Sequence, residues 1–175
     1  GFPPPSTGEQ VTAYIATADR PLSPQTLFIM WIGANDYLNG DGDFQEAVAN
    51  INDALDNLAE FGAMHILVLN LPDLGTIPET LGTPEAAQAT AFTVNFNAEL
   101  GNMLDRFSVE QPRINLYEFD TASFFTMVRS DPAAFGFSNV TDPSPNFEVP
   151  NNFDGAGHLF WDDKHPTTRA HALLA

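Results

Sequence analysis

The sequence predicts an α/β fold built on a mostly parallel sheet. Three observations carry this expectation. Short apolar runs recur at strand length, Leu27 to Ile32, His65 to Leu69 and Ile114 to Phe119. Between them lie longer stretches whose apolar residues repeat at three and four, the pattern of a helix with one buried face. The first two runs end in polar and turn-forming residues, Gly33-Ala34-Asn35-Asp36 and Asn70-Leu71-Pro72-Asp73. Open α/β sheets bind their ligands at such carboxyl ends of strands.

Taken in order, residues 1 to 8 read as loop, because three consecutive prolines bar both helix and central strand. Glu9 to Ala18 reads as a short helix, with Val11, Tyr14, Ile15 and Ala18 at helical spacing. Pro21 and Pro24 break the chain before Leu27 to Ile32, an unbroken apolar run that fits a strand buried on both faces and equally a buried helical segment. Asn39-Gly40-Asp41-Gly42-Asp43 has the look of a calcium loop, but the sixth and twelfth positions hold Phe44 and Asn50 where an EF-hand needs Gly and Glu. The stretch reads as a turn into a helix, with Asp43 as N-cap and Glu46 completing a capping box. Phe44, Val48, Ile51, Leu55 and Leu58 form that helix's apolar face, and Gly62 stops it. Thr83-Pro84-Glu85 starts the next helix, whose buried face is Phe92, Phe96, Leu100, Met103 and Phe107. A helix over Thr121 to Arg129 follows the third strand, and another begins at Thr167. Residues 131 to 160 show no periodicity and are expected to form a long irregular segment at the mouth of the site.

Composition narrows the function. At 175 residues with 43 % apolar content, the chain is long enough for a sizeable core and is read as one domain over 1–175. Twenty-three acidic against 6 basic side chains give a net charge of −17, which argues against electrostatic binding of nucleic acid or anionic membranes. No cysteine is present, so thiol and disulfide chemistry are excluded. No apolar run approaches the roughly 20 residues that span a membrane, and no signal peptide is read. His65, His158 and His171 are scattered with no carboxylate spacing, so no metal site is expected; no cofactor is expected either.

Two blocks carry chemistry. Asp162-Asp163-Lys164-His165-Pro166 offers an imidazole with a carboxylate three residues before it. One turn lets Asp162 reach Nδ1 of His165 and leaves Nε2 free, as a general base requires. The same spacing also fits a surface pair ahead of a helix, and Asp163 is the alternative orienter. Asn35 offers a side-chain amide for an oxyanion, and it equally fits a turn-forming residue at a strand end. Asp36 is read as structural. His65, His158 and His171 lack a matching carboxylate spacing and are set aside.

Gly33-Ala34-Asn35-Asp36 and Asp162-x-x-His165-Pro166, together with Asn70-Leu71-Pro72-Asp73-Leu74-Gly75 and Phe135-Gly136-Phe137-Ser138-Asn139-Val140, resemble the GDSL or SGNH family of serine esterases and lipases, in its bacterial phospholipase, lecithinase and haemolysin-like branch. The resemblance implies a flavodoxin-like three-layer α/β/α sandwich with strand order 2-1-3-4-5. This chain would supply strands three, four and five, and the fold would be incomplete at the N-terminus, lacking strands one and two. It implies Asp162 as the catalytic carboxylate that orients His165, His165 as the base, and Asn35 in the oxyanion hole. The Gly-Asp-Ser-Leu block with the nucleophilic serine is absent, and so is the block that donates an oxyanion-hole glycine. None of Ser6, Ser23, Ser108, Ser123, Ser130, Ser138 and Ser144 stands in a Gly-Asp-Ser context, so the nucleophile is expected upstream. The implied activity is hydrolysis of carboxylic esters, lipid or other acyl esters, by a secreted or cell-surface enzyme that includes the missing N-terminal segment; the alternative is a binding or structural domain that kept the fold and lost the nucleophile.

Overall fold

A computed structural model describes residues 5–18, 21–145 and 155–174. The chain forms two compact units, one holding residues up to Leu71 together with Val94–Thr121, the other Pro72–Thr93 together with residues from Ala122 onward.

The first unit contains helix α1 (Thr7–Thr17), strand β1 (Leu27–Met30), the short helix α2 (Ala34–Leu38), helix α3 (Phe44–Phe61), strand β2 (His65–Leu69), most of helix α4 (Ala86–Glu110) and strand β3 (Asn115–Phe119). The strands form a parallel sheet in the order β1-β2-β3, with Leu27 beside His65 and His65 beside Asn115. This is the α/β fold that the sequence predicts. Its core comes from Val48, Ile51, Leu55 and Leu58 of α3, Ile66 and Val68 of β2, and Phe96, Leu100, Met103 and Phe107 of α4, all buried. Burying a side chain of this size contributes about 1.5–3 kcal/mol, so these periodic faces dominate the unit's stability.

Several expectations need correction here. The segment before Glu9 is not all loop: α1 starts at Thr7, because Ser6 accepts from the Glu9 N–H at 3.3 Å while Glu9 accepts from the Ser6 N–H at 2.7 Å. That reciprocal pair is a full capping box. At α3, Asp43 does cap, accepting from the N–H groups of Gln45 and Glu46, but its own N–H donates to Asp41 rather than Glu46. The expected box there is therefore only half formed. Residues 1–4 lie outside the described residues.

The first strand is also not buried on both faces. Leu27 and Ile29 are 47 % and 65 % exposed, while Met30 on the alternate face is buried. The topology explains this. In a parallel β1-β2-β3 order, crossovers of one and the same hand put both connecting helices on one side of the sheet, and Leu27, Ile29 and the half-exposed Tyr117 share one face of it. Among the described residues β1 pairs only with β2, so it forms an edge.

The second unit holds the start of α4, helix α5 from Ala122 to its end (Thr121–Ser130), strands β4 (Asn139–Pro143) and β5 (His158–Phe160), and helix α6 (Thr168–Leu174). The expectation that 131–160 lacks regular structure is overturned: β4 and β5 pair in parallel, with Asn139 beside His158. Their Asn, Thr, Asp and Pro residues give no alternating pattern, so pairing rather than propensity sets the strand. The part of that expectation falling on 146–154 lies outside the described residues. Phe125, Val128, Phe137, Leu159 and Phe160 are buried in this unit.

Gly33 ends the first strand region with φ of 110° and caps α2. A Cβ at this position would run into the ring of Phe96, itself fully buried. Gly33→Ala should therefore lower stability by about 2–4 kcal/mol, through left-handed backbone strain and overpacking. A urea midpoint within error of the parent would refute this reading of the Gly33 corner.

Candidate active site

The second unit carries the Asp–His block on a narrow hairpin. Phe160 bridges Pro166 in antiparallel fashion, the Trp161 N–H donates to the His165 carbonyl at 2.7 Å, and the Thr167 N–H donates to the Leu159 carbonyl at 2.9 Å. Thr167 is fully buried, and its hydroxyl donates to the His158 carbonyl at 3.0 Å. These bonds fix both feet of the loop 162–165.

Asp162 closes the loop. Its Oδ1 accepts from the backbone N–H of Lys164 at 2.8 Å and of His165 at 2.7 Å. Its Oδ2 lies 2.8 Å from Nδ1 of His165. An ionised carboxylate only accepts, so the ring nitrogen facing it carries a proton, and Nε2 is left out of that contact. The His165 side chain is 71 % exposed and that of Asp162 34 %. Asp163 does not take the orienting place; its carbonyl instead accepts from the Glu79 N–H at 3.0 Å. Partial burial works against ionisation of Asp162, but the donors of His165 and Lys164 outweigh it and hold its pKa below the ordinary value.

No serine completes this arrangement among the described residues: the interactions of His165 are those with Asp162 and the Trp161 backbone bond. In the same unit, Ser130 donates to the Met127 carbonyl and Ser138 to the Gly157 carbonyl.

Asn35 belongs to the first unit, in the first turn of α2 just after Gly33. It is exposed, and its carbonyl accepts from the Asn39 N–H at 2.9 Å. Asp36 beside it has a raised pKa, caused first by burial and then by Asp41, with a backbone hydrogen bond opposing both. His65 lies on the sheet, stacked at 6.2 Å on the Tyr117 ring and 3.3 Å from the Asn115 amide.

Two further motifs have structural duties. In Asn70 to Gly75, the Asn97 amide brackets Leu71, accepting its N–H at 2.9 Å and donating to its carbonyl at 2.8 Å. Asp73 then accepts from the Gly75 N–H and the Thr90 hydroxyl, at 2.9 and 2.7 Å. In Phe135 to Val140, Gly136 has φ of 76° and leaves room for Arg169. The guanidinium donates to the Phe135 carbonyl and lies 5.7 Å from the Phe137 ring centre. A 130 Å³ cavity in the first unit opens at the carboxyl ends of β2 and β3, beside Asn70, Asn97, Glu118 and Asp120. It is well below the roughly 300 Å³ at which ligand pockets begin, so it does not mark a substrate site. Among the described residues, no three His, Asp or Glu side chains gather as a metal site would require.

Comparison with known proteins adds identity to geometry. The family model described as GDSL-like lipase/acylhydrolase matches residues 5–175. The chain is 28 % identical to a thermolabile hemolysin of Vibrio parahaemolyticus, an alignment covering 96 % of this chain and 44 % of that protein. It is 29 % identical to a phosphatidylcholine-sterol acyltransferase of Aeromonas hydrophila, over 87 % of this chain and 59 % of the relative. It is also 29 % identical to the esterase EstA of Pseudomonas aeruginosa, over 87 % of this chain and 25 % of the relative. The chain thus spans between a quarter and three-fifths of the length of these relatives.

The lowered pKa of Asp162 fixes the sign of a pH effect. A carboxylate whose folded pKa lies below its unfolded value stabilises fully above the unfolded value, and that contribution is lost as pH falls through the folded one. The Lys164 and His165 amide resonances should therefore move together in an acid titration step that Asp162→Asn abolishes. If the two amides stay still through the acid range in the parent, Asp162 does not hold the loop.

Proposed function

This chain belongs to the GDSL-like lipase/acylhydrolase family, and on that footing we propose that it is the carboxyl-terminal part of a serine ester hydrolase acting on lipid or other acyl esters. The observation that carries the proposal is the 2.8 Å contact between Asp162 and Nδ1 of an exposed His165. A carboxylate on Nδ1 sets the tautomer in which Nε2 can take a proton and stabilises the imidazolium that results.

The chemistry follows from these groups. A serine supplied from upstream of Gly1 attacks the ester carbonyl, and His165 Nε2 takes its proton. The amide of Asn35 donates to the tetrahedral oxyanion, a contact of the kind worth about 3 kcal/mol in the transition state. The intermediate collapses as the imidazolium returns the proton to the leaving alcohol, and an acyl-serine remains. Water, deprotonated in turn by His165, releases the acid and restores the serine; an acceptor alcohol in place of water gives acyl transfer instead. No metal or redox cofactor enters these steps.

The proposed missing partner is the N-terminal segment that carries strands one and two. Two observations support it. The chain spans only part of its relatives, and among the described residues β1 pairs only with β2, which leaves its other edge open. Bare apolar edges invite pairing with another chain. The hemolysin and esterase names among the relatives support a secreted or cell-surface location. No helix among the described residues is long and apolar enough to cross a membrane. The second reading, a binding domain that lost its nucleophile, draws on the lack of a serine beside His165 among the described residues.

Residues 1–175 alone should not hydrolyse short- or long-chain acyl esters, and the protein with its upstream segment should. In that longer protein, Asp162→Asn should cut kcat by about 10⁴-fold and His165→Ala by up to about 10⁶-fold. Robust turnover by 1–175 alone, lost on changing one of its own serines, would overturn the assignment, and inactivity of the longer protein would favour the binding domain.

A further inference from the structure

The bonds inside the Asp162 loop fix Asp162 relative to His165, and one residue from a distant segment reaches two consecutive positions between them. The Glu79 N–H donates to the Asp163 carbonyl at 3.0 Å, and the Glu79 carboxylate pairs with Lys164 Nζ at 3.1 Å. Glu79 is itself well held. Thr80 donates its hydroxyl to the Leu74 carbonyl, and Leu74 donates its N–H to the Thr93 hydroxyl at 3.1 Å. Arg129 donates to the carbonyls of Thr76 and Val140, both at 2.9 Å.

Lys164 is the one lysine in a chain of net charge −17. Its backbone N–H already donates to Asp162 Oδ1. Its flexible four-carbon stem lets the ammonium reach toward any carboxylate in range, and Asp162 is two residues away. The Asp162 carboxylate already serves three donors, the N–H groups of Lys164 and His165 and the ring Nδ1. A fourth, cationic donor would draw its charge away from the imidazole.

We propose that Glu79 is a positioning residue for the Asp162–His165 pair: its carboxylate occupies Lys164 and so keeps the Asp162 carboxylate committed to His165. The catalytic importance of this rests on the ester-hydrolase reading above, whereas the geometry does not. A half-exposed ion pair contributes little to global stability, so the effect of losing it is expected at His165 rather than in unfolding.

The test uses Glu79→Gln, Lys164→Gln and the double variant in the longer protein, with three readouts: the His165 Nδ1–H proton resonance, kcat and KM on an acyl ester, and the urea midpoint. Glu79→Gln should move the Nδ1–H resonance upfield and lower kcat about tenfold with KM unchanged, at an unaltered midpoint. Removing Lys164 as well should restore the resonance and most of kcat, because the competing cation is gone; Glu79→Asp should rescue in part. An unmoved Nδ1–H resonance in Glu79→Gln overturns the proposal, and so does a loss of kcat that persists in the double variant or simply follows the urea midpoint. If His165→Ala leaves turnover intact, the hydrolase reading fails, while the response of the Nδ1–H resonance still decides the role of Glu79.

Discussion

One carboxylate must satisfy three donors at once. The Lys164 and His165 amides and the His165 ring converge on Asp162 within 3.0 Å, on a loop whose feet are clamped by a β-bridge and a buried threonine. The backbone bonds make the loop, and the ring bond makes it chemical, since each exposed imidazole left to itself would share its proton between two nitrogens. A charged acceptor also forms bonds roughly twice as strong as a neutral one, which lets a loop with a largely exposed histidine keep one conformation. Everything assigned to His165 depends on that acceptor staying ionised, and the same donors that shape the loop favour the ionised form.

The sheet imposes the second constraint. Parallel neighbours require crossover helices, and two crossovers of one hand cover one face. The exposed Leu27 and Ile29 follow from this arithmetic of connections rather than from any weakness of the strand. Gly33 sits where the strand gives way to Asn35, with the Phe96 ring against its backbone, so the approach of α4 and the position of the candidate oxyanion donor are set by one residue without a side chain.

Much of this was readable in the sequence. Helix α3 spans Phe44–Phe61 between Asp43 and Gly62 because eighteen residues of periodic apolar pattern and both stop signals agree. Strand β2 coincides with the apolar run His65 to Leu69. What failed to read was set by partners that local sequence does not name. An apolar run such as Leu27 to Ile32 looks the same whether its far face is covered or not. Asn139–Pro143 becomes strand only because His158–Phe160 lies beside it. The Ser6 capping box was present in the letters, Ser-x-x-Glu, but masked by the prolines before it. At the site, the Asp162 to His165 spacing pointed to the pair, while Glu79 gave no signal at all, since its link to Lys164 spans 85 residues and belongs to no motif.

Among the described residues no serine hydrogen-bonds His165, whereas the proposed mechanism needs an activated serine. A fluorophosphonate probe, which labels only an activated serine, followed by peptide mapping of the longer protein, locates it. The expected result is a single labelled serine upstream of Gly1, with labelling abolished by His165→Ala and strongly slowed by Asp162→Asn. Label on any of the seven serines within residues 1–175, or labelling indifferent to His165, would mean that the Asp162–His165 pair does not serve an upstream nucleophile.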